Sequence, residues 1–233
     1  MAETQAHGND FAGLRSRLTA DLRPVRRFHP EAVALGVVVL GFGVGLATLR
    51  SLFGLPATSG AAEWLWLWGP SLLAVASATI LIGLALCTLV PGRHPGPVSL
   101  AGWTGLCVAL HLGVTAVTYG HRPTSLPEGA DHLSLRCLGV ELCLAVPAAA
   151  LLVWLGRRGL SARPYAFGVL GALGTALVAD AAWRMVCPYT DPAHVLASHS
   201  PALPAVALFG LGLAFVWDRR QLERWCQRRE PRV

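Results

Sequence analysis

Apolar residues in this chain gather into blocks instead of alternating or marking one helix face, and six blocks are long enough to cross about 30 Å of hydrocarbon. They cover residues 32–49, 65–90, 98–119, 137–156, 165–186 and 202–217, the first and last being the shortest. The polar connections between them are punctuated by proline and glycine, and the longest, 120–136, has 17 residues. No internal repeat, low-complexity stretch or separable soluble domain interrupts the pattern. The pattern predicts an all-α membrane protein, a six-transmembrane-helix bundle with both termini cytoplasmic. Its parts are a basic amphipathic segment over 1–30, the six-helix domain over 31–217 and a basic tail over 218–233.

Composition agrees with this pattern: of 233 residues 54% are hydrophobic and only 14% charged. Arginine placement sets the orientation. Segments on one side (the N-terminal stretch, 91–97, 157–164 and the C-terminal tail) hold fifteen arginines, against four on the other, Arg50, Arg122, Arg136 and Arg184. The positive-inside rule then puts both termini in the cytoplasm. Aromatic residues fit the same frame, with Trp64, Trp66, Trp68 and Trp183 at the outer interface and Trp103, Trp154 and Trp217 at the inner one. The polar start, with Glu3 and Asp10, lacks the short charged lead of a secretory signal, so the first span is expected to remain. The expected location is a membrane, crossed several times.

Within the spans, Gly41, Gly45, Gly168, Gly171 and Gly174 offer flat helix surfaces for close packing, and Pro147 interrupts the ladder of the fourth span. Before the first span, Phe11, Leu14, Leu18, Leu22 and Val25 recur at spacings of 3, 4, 4 and 3, an amphipathic helix that Asp10 would cap. Arg15, Arg17 and Arg23 occupy its other face, and Arg26 and Arg27 follow Pro24. Such a helix suits either an anionic lipid surface or the groove of a cytoplasmic protein.

Six cysteines occur without any C-x-x-C pair, which removes the main signature of a thiol oxidoreductase. Cys87, Cys107 and Cys143 lie inside spans and read as small apolar residues, while Cys226 is a lone thiol in the C-terminal tail. Cys137 and Cys187 differ. Counted from the connection they share at 157–164, each lies about 30 Å along its helix at 1.5 Å per residue, so both reach the same outer level. There they could form a disulfide, or with His199, His194 or Asp191 bind a soft or borderline metal ion. Glu141 lies one turn inside Cys137 and is a further candidate ligand, and Asp180, Arg184 and Cys187 share one face of the fifth span. Asp180 reads as the i, i+4 partner of Arg184, and His111 as a hydrogen-bonded packing residue. No nucleophile elbow, phosphate loop, H-E-x-x-H or paired-carboxylate motif occurs, so an enzyme is not expected.

Three segments carry a resemblance. Asp21, Leu22, Pro24, Val25, Arg26 and Arg27, preceded by Leu18, resemble the Asp-Leu-x-Pro-Val-Arg-Arg motif of the NrsF-like membrane anti-sigma factors, named for negative regulation of sigma F. Cys137, Pro147 and the arginines Arg157, Arg158 and Arg163 are similar to that family's fourth span and arginine loop. Cys187, Pro188, Pro192 and His199 match a His-Cys-Pro-x-Asp-x-Pro element followed by Trp-His, with Val186, Thr190 and Ser198 as departures.

The resemblance implies a negative regulator that holds an extracytoplasmic-function (ECF) sigma factor at a bacterial inner membrane. Release on metal or oxidative stress would follow from two outer-facing cysteines, here Cys137 and Cys187. The sigma-binding residues would be Leu18, Asp21, Leu22, Pro24, Val25, Arg26 and Arg27, and direct nucleic-acid contact is not expected. The signal would be a transition-metal ion such as copper or zinc, or a reversible Cys137–Cys187 disulfide. Of these the metal site is the stronger switch, because shifting a two-state bundle from 1:99 to 99:1 takes about 5.5 kcal/mol, more than most single disulfides supply. Two other readings stand beside it: a small ion or metal transporter, motivated by His111, Glu141 and Asp180, and a structural membrane protein with a disulfide-stapled outer loop.

Overall fold

The computed structural model describes residues 29–54, 61–90, 92–93, 95–121, 135–157, 163–187 and 192–229, with side chains described except at 61–67, 119–121, 192 and 221–229. Six long helices dominate: α1 Pro30–Phe53, α2 Ala61–Cys87, α3 Pro97–His121, α4 Leu135–Gly156, α5 Pro164–Arg184 and α6 Ala202–Arg229. A short turn at Pro192–His194 and a wider π-helical turn at Val195–His199 lead into α6. Among the described residues there is no strand.

Each long helix contains a stretch long and apolar enough to cross a bilayer, which makes this a multi-pass membrane protein. Large apolar side chains remain on its outer surface, among them Leu40, Leu52, Leu72 and Leu208, as a lipid-facing wall requires. The amphipathic segment predicted before Pro30, including Leu18, Asp21, Leu22, Pro24, Val25, Arg26 and Arg27, lies outside the described residues.

The first and last apolar blocks are the shortest, yet the helices that carry them are not. α1 has 24 residues and α6 has 28, against 21 for α5. Hydropathy marks where a helix leaves hydrocarbon, whereas the hydrogen-bond ladder continues as long as the residues tolerate it. Pro30 begins α1 at a position that needs no donor, and Gly54, at φ 79°, ends it in a conformation that favours glycine. α6 continues past Trp217 through charged and amide residues with good helix propensity.

α5 is the hub. Buried positions make up 89% of its spanning window, against 17–44% in the other five, because it packs on α1, α2, α4 and α6. Its small residues permit this. A methyl group on Gly168 would meet the Gly210 carbonyl of α6 at 2.5 Å, one on Gly171 would meet Leu152 of α4 at 2.8 Å, and one on Gly174 would strike Ile82 of α2. The predicted flat surfaces therefore face three different neighbours. Gly41 and Gly45 approach Val178 and Ala182 of the same helix, with room for ordinary contact. Pro147 lies inside α4 as expected, and Pro70 sits likewise inside α2, each withdrawing one donor from its ladder. At the end of the bundle where α4 begins and α5 finishes, Leu49, Ala182, Trp183, Met185 and Val186 form a separate apolar cluster around Cys137 and Cys187.

Candidate metal centre

Two helix faces meet at that end. Cys137 and Glu141 are one turn apart on α4, and Asp180, Arg184 and Cys187 follow at i, i+4 and i+7 along α5, so each set points in one direction. The chain stays coiled just beyond α5, where the Cys187 amide donates to the Trp183 carbonyl at 2.7 Å. This holds the second thiol in register. The two sulfurs lie 4.0 Å apart, and both are buried. Equal depth, expected from residue counting, becomes direct contact because α4 and α5 are packed neighbours.

Two imidazoles complete the group. His194 Nε2 lies 3.9 Å from Cys187 Sγ, and the rings of His194 and His199 cross edge-to-face with centroids 5.4 Å apart. Residues five apart on an α-helix would point about 140° from each other, at 100° per residue. The π-helical turn corrects this, since its i to i+5 bond, from the Ser200 amide to the Val195 carbonyl at 3.1 Å, sets residues five apart nearly above one another. Ser198 is fully buried and its hydroxyl lies 3.4 Å from His194 Nδ1, which leaves Nε2 directed at the thiol. One donor atom from each of Cys137, Cys187, His194 and His199 falls within 4.8 Å of all the others.

A layer of charge lies beneath. His199 Nδ1 is 2.7 Å from Glu141 Oε1 and 3.4 Å from Asp180 Oδ1. Asp180 is engaged by Arg184, whose Nε lies 2.9 Å from Oδ1 and 2.8 Å from Oδ2. The same guanidinium donates to Thr115 Oγ1 at 3.0 Å and reaches His111 Nε2 at 3.2 Å, both on α3. Because arginine can only donate, His111 Nε2 accepts, and its proton sits on Nδ1, 3.7 Å from Asp180 Oδ2. The expected Asp180–Arg184 pair is thus present, and His111 is the hydrogen-bonded packing residue anticipated. Thr115 was not singled out from the sequence, and Ser198 was noted only as a departure from the family pattern, without a role at the site. Nothing local marks them, because each earns its place through a partner on another turn or helix.

The distances bear on chemistry. At 4.0 Å the sulfurs are two unbonded thiols in contact, near enough for oxidation to join them in a bond of about 2.05 Å. Two thiolates bound about 2.3 Å from one tetrahedral ion lie about 3.8 Å apart, and a thiolate and an imidazole on the same ion about 3.6 Å. The observed 4.0 Å and 3.9 Å need a contraction of only a few tenths of an ångström. Two sulfurs and two imidazole nitrogens suit zinc or a similar borderline ion. The contact with Cys137, reinforced by burial, pushes the Cys187 thiol up from its ordinary range, so without an ion it is protonated at neutral pH. Asp191, the remaining predicted ligand, lies outside the described residues.

Neither a curated protein nor a solved structure matches the chain. A protein-family model does, over residues 18–219, a range that includes the basic Asp21 to Arg27 motif, all six spans and the four-donor cluster. The chain belongs to the family described as NrsF, negative regulator of sigma F.

Proposed function

We propose that the protein is a membrane anti-sigma factor that holds an ECF sigma factor at the inner face of a bacterial cell membrane and releases it when a metal ion binds at Cys137, Cys187, His194 and His199. The family's name supplies the class of partner. The observation that carries the sensing role is the four-donor cluster, built on helix ends opposite the arginine-rich connection between α4 and α5. Positive-inside reasoning puts that cluster on the outer side and the Leu18 to Arg27 segment in the cytoplasm, where it would grip the sigma factor together with the arginine loop.

The departures from the family pattern fit this reading. Val186 stands where the pattern has histidine and is packed among apolar neighbours. His194 brings an imidazole to Cys187 from the other direction. Metal is favoured over a disulfide by the two imidazoles gathered beside the sulfurs, and sensing over ion transport because Arg184 already neutralises Asp180.

A reporter driven by the cognate sigma factor tests the proposal. Cys137→Ser and Cys187→Ser should each abolish induction by zinc, cadmium or copper while repression persists, and removal of residues 1–27 should give constitutive expression. Normal induction in both cysteine variants would refute the sensor, and continued repression by the truncated protein would refute the tail as the binding element.

A further inference from the structure

Granting the metal reading of the thiol pair, we infer that Glu141 is not a ligand but the positioning residue of the centre, fixing His199 so that one ring nitrogen is committed to the carboxylate and the other to the ion. Glu141 is fully buried, and Oε1 meets His199 Nδ1 at 2.7 Å. With Nδ1 set against the carboxylate, Nε2 is the nitrogen left to join the two thiols and His194. A metal-bound histidine characteristically gives its second N–H to a carboxylate, which sets the tautomer and the ring plane and raises the basicity of the ligating nitrogen. The neighbouring Asp180 does not convert this layer into a second metal site, since both of its oxygens lie within 2.9 Å of the Arg184 Nε. It backs the arrangement instead, 3.4 Å from the same Nδ1. The geometry thus separates four donors from a carboxylate that orients one of them, although Glu141 and Cys137 share a helix face.

Cobalt(II) binding to the full-length protein in lipid nanodiscs distinguishes these roles, because thiolate-to-cobalt charge-transfer and d–d bands report ligand number and type. Glu141→Gln should weaken cobalt binding by about 10- to 100-fold with the band shape unchanged. Glu141→Leu, which keeps no acceptor for Nδ1–H, should lose more. In a His199→Ala background, Glu141→Gln should have no further effect, since there is no ring left to orient. A changed d–d spectrum in Glu141→Gln would make Glu141 a ligand and overturn the inference. Unaltered affinity would overturn it too, as would a loss of the same size with and without His199, which marks a purely structural role. If the wild-type protein gives no thiolate–cobalt band, the metal reading itself fails and the inference with it, whereas a wild-type band followed by any of the other outcomes leaves that reading standing.

Discussion

Arg184 is the residue on which the buried polar layer depends. It donates to α3 through Thr115 and His111 and to its own helix through Asp180, and its side chain is only 8% exposed. Removing one member of a buried pair strands the other charge, at a cost of about 3–5 kcal/mol. Replacing both by apolar residues is far milder. Arg184→Leu should therefore lower the thermal midpoint in detergent sharply, and the Asp180→Leu/Arg184→Leu double variant should regain most of the loss. Equal midpoints for wild type and Arg184→Leu would show that the pair contributes nothing to the fold. The i, i+4 spacing of Asp180 and Arg184 was legible because helix geometry alone fixes it. The attachment to α3 was not, since 69 residues separate Arg184 from Thr115 and only tertiary packing joins them. His194 and His199 were recognisable as donors by type. Their convergence was hidden, because a regular helix would have turned them apart and the sequence gives no warning of a π turn.

At the scale of elements, six spans could be read because a bilayer sets a crude requirement, enough consecutive apolar residues, that composition meets or fails. Which helix lies at the centre is a subtler matter. Its trace in the sequence is the run Gly168, Gly171 and Gly174 in α5, which was read as packing surface without showing how many neighbours use it. α5 and α6 meet backbone to backbone, where a methyl group on Gly210 would collide with Ala172 and with the backbone carbonyl of Gly168. A backbone atom cannot swing aside as a side chain can. Gly210→Ala should therefore push α6 away from α5 and cost about 1–3 kcal/mol, the usual penalty for overpacking. Gly36→Ala, on α1 with nothing within 4 Å of the new methyl, should be neutral or slightly stabilising through better helix propensity. Thermal unfolding of the two variants side by side provides the measurement. Equal midpoints for the two variants would show that the close contact at Gly210 does not control how α6 packs on α5.

Taken as a whole molecule, the protein separates its two kinds of chemistry by the thickness of a membrane. Cys137, Cys187, His194 and His199 gather where α4 begins and α5 finishes, while Arg157 and Arg163 flank the connection at the opposite ends of those helices. A sensor that answers to an external ion while restraining a cytoplasmic partner requires this separation and one particular orientation. Arg136 lies in the first turn of α4 and Arg157 just past its end, and the 21 residue steps from one to the other span about 32 Å at 1.5 Å per residue. Single cysteines placed at these two positions, in a protein otherwise lacking cysteine, should respond oppositely to a membrane-impermeant maleimide. Arg136→Cys should label in intact cells or right-side-out vesicles, and Arg157→Cys only after permeabilisation. The reverse pattern would put the donor cluster in the reducing cytoplasm and the arginine loop outside. It would leave an external metal signal with no route to the site and the sigma factor with no loop to meet, even though every distance within the bundle stayed the same.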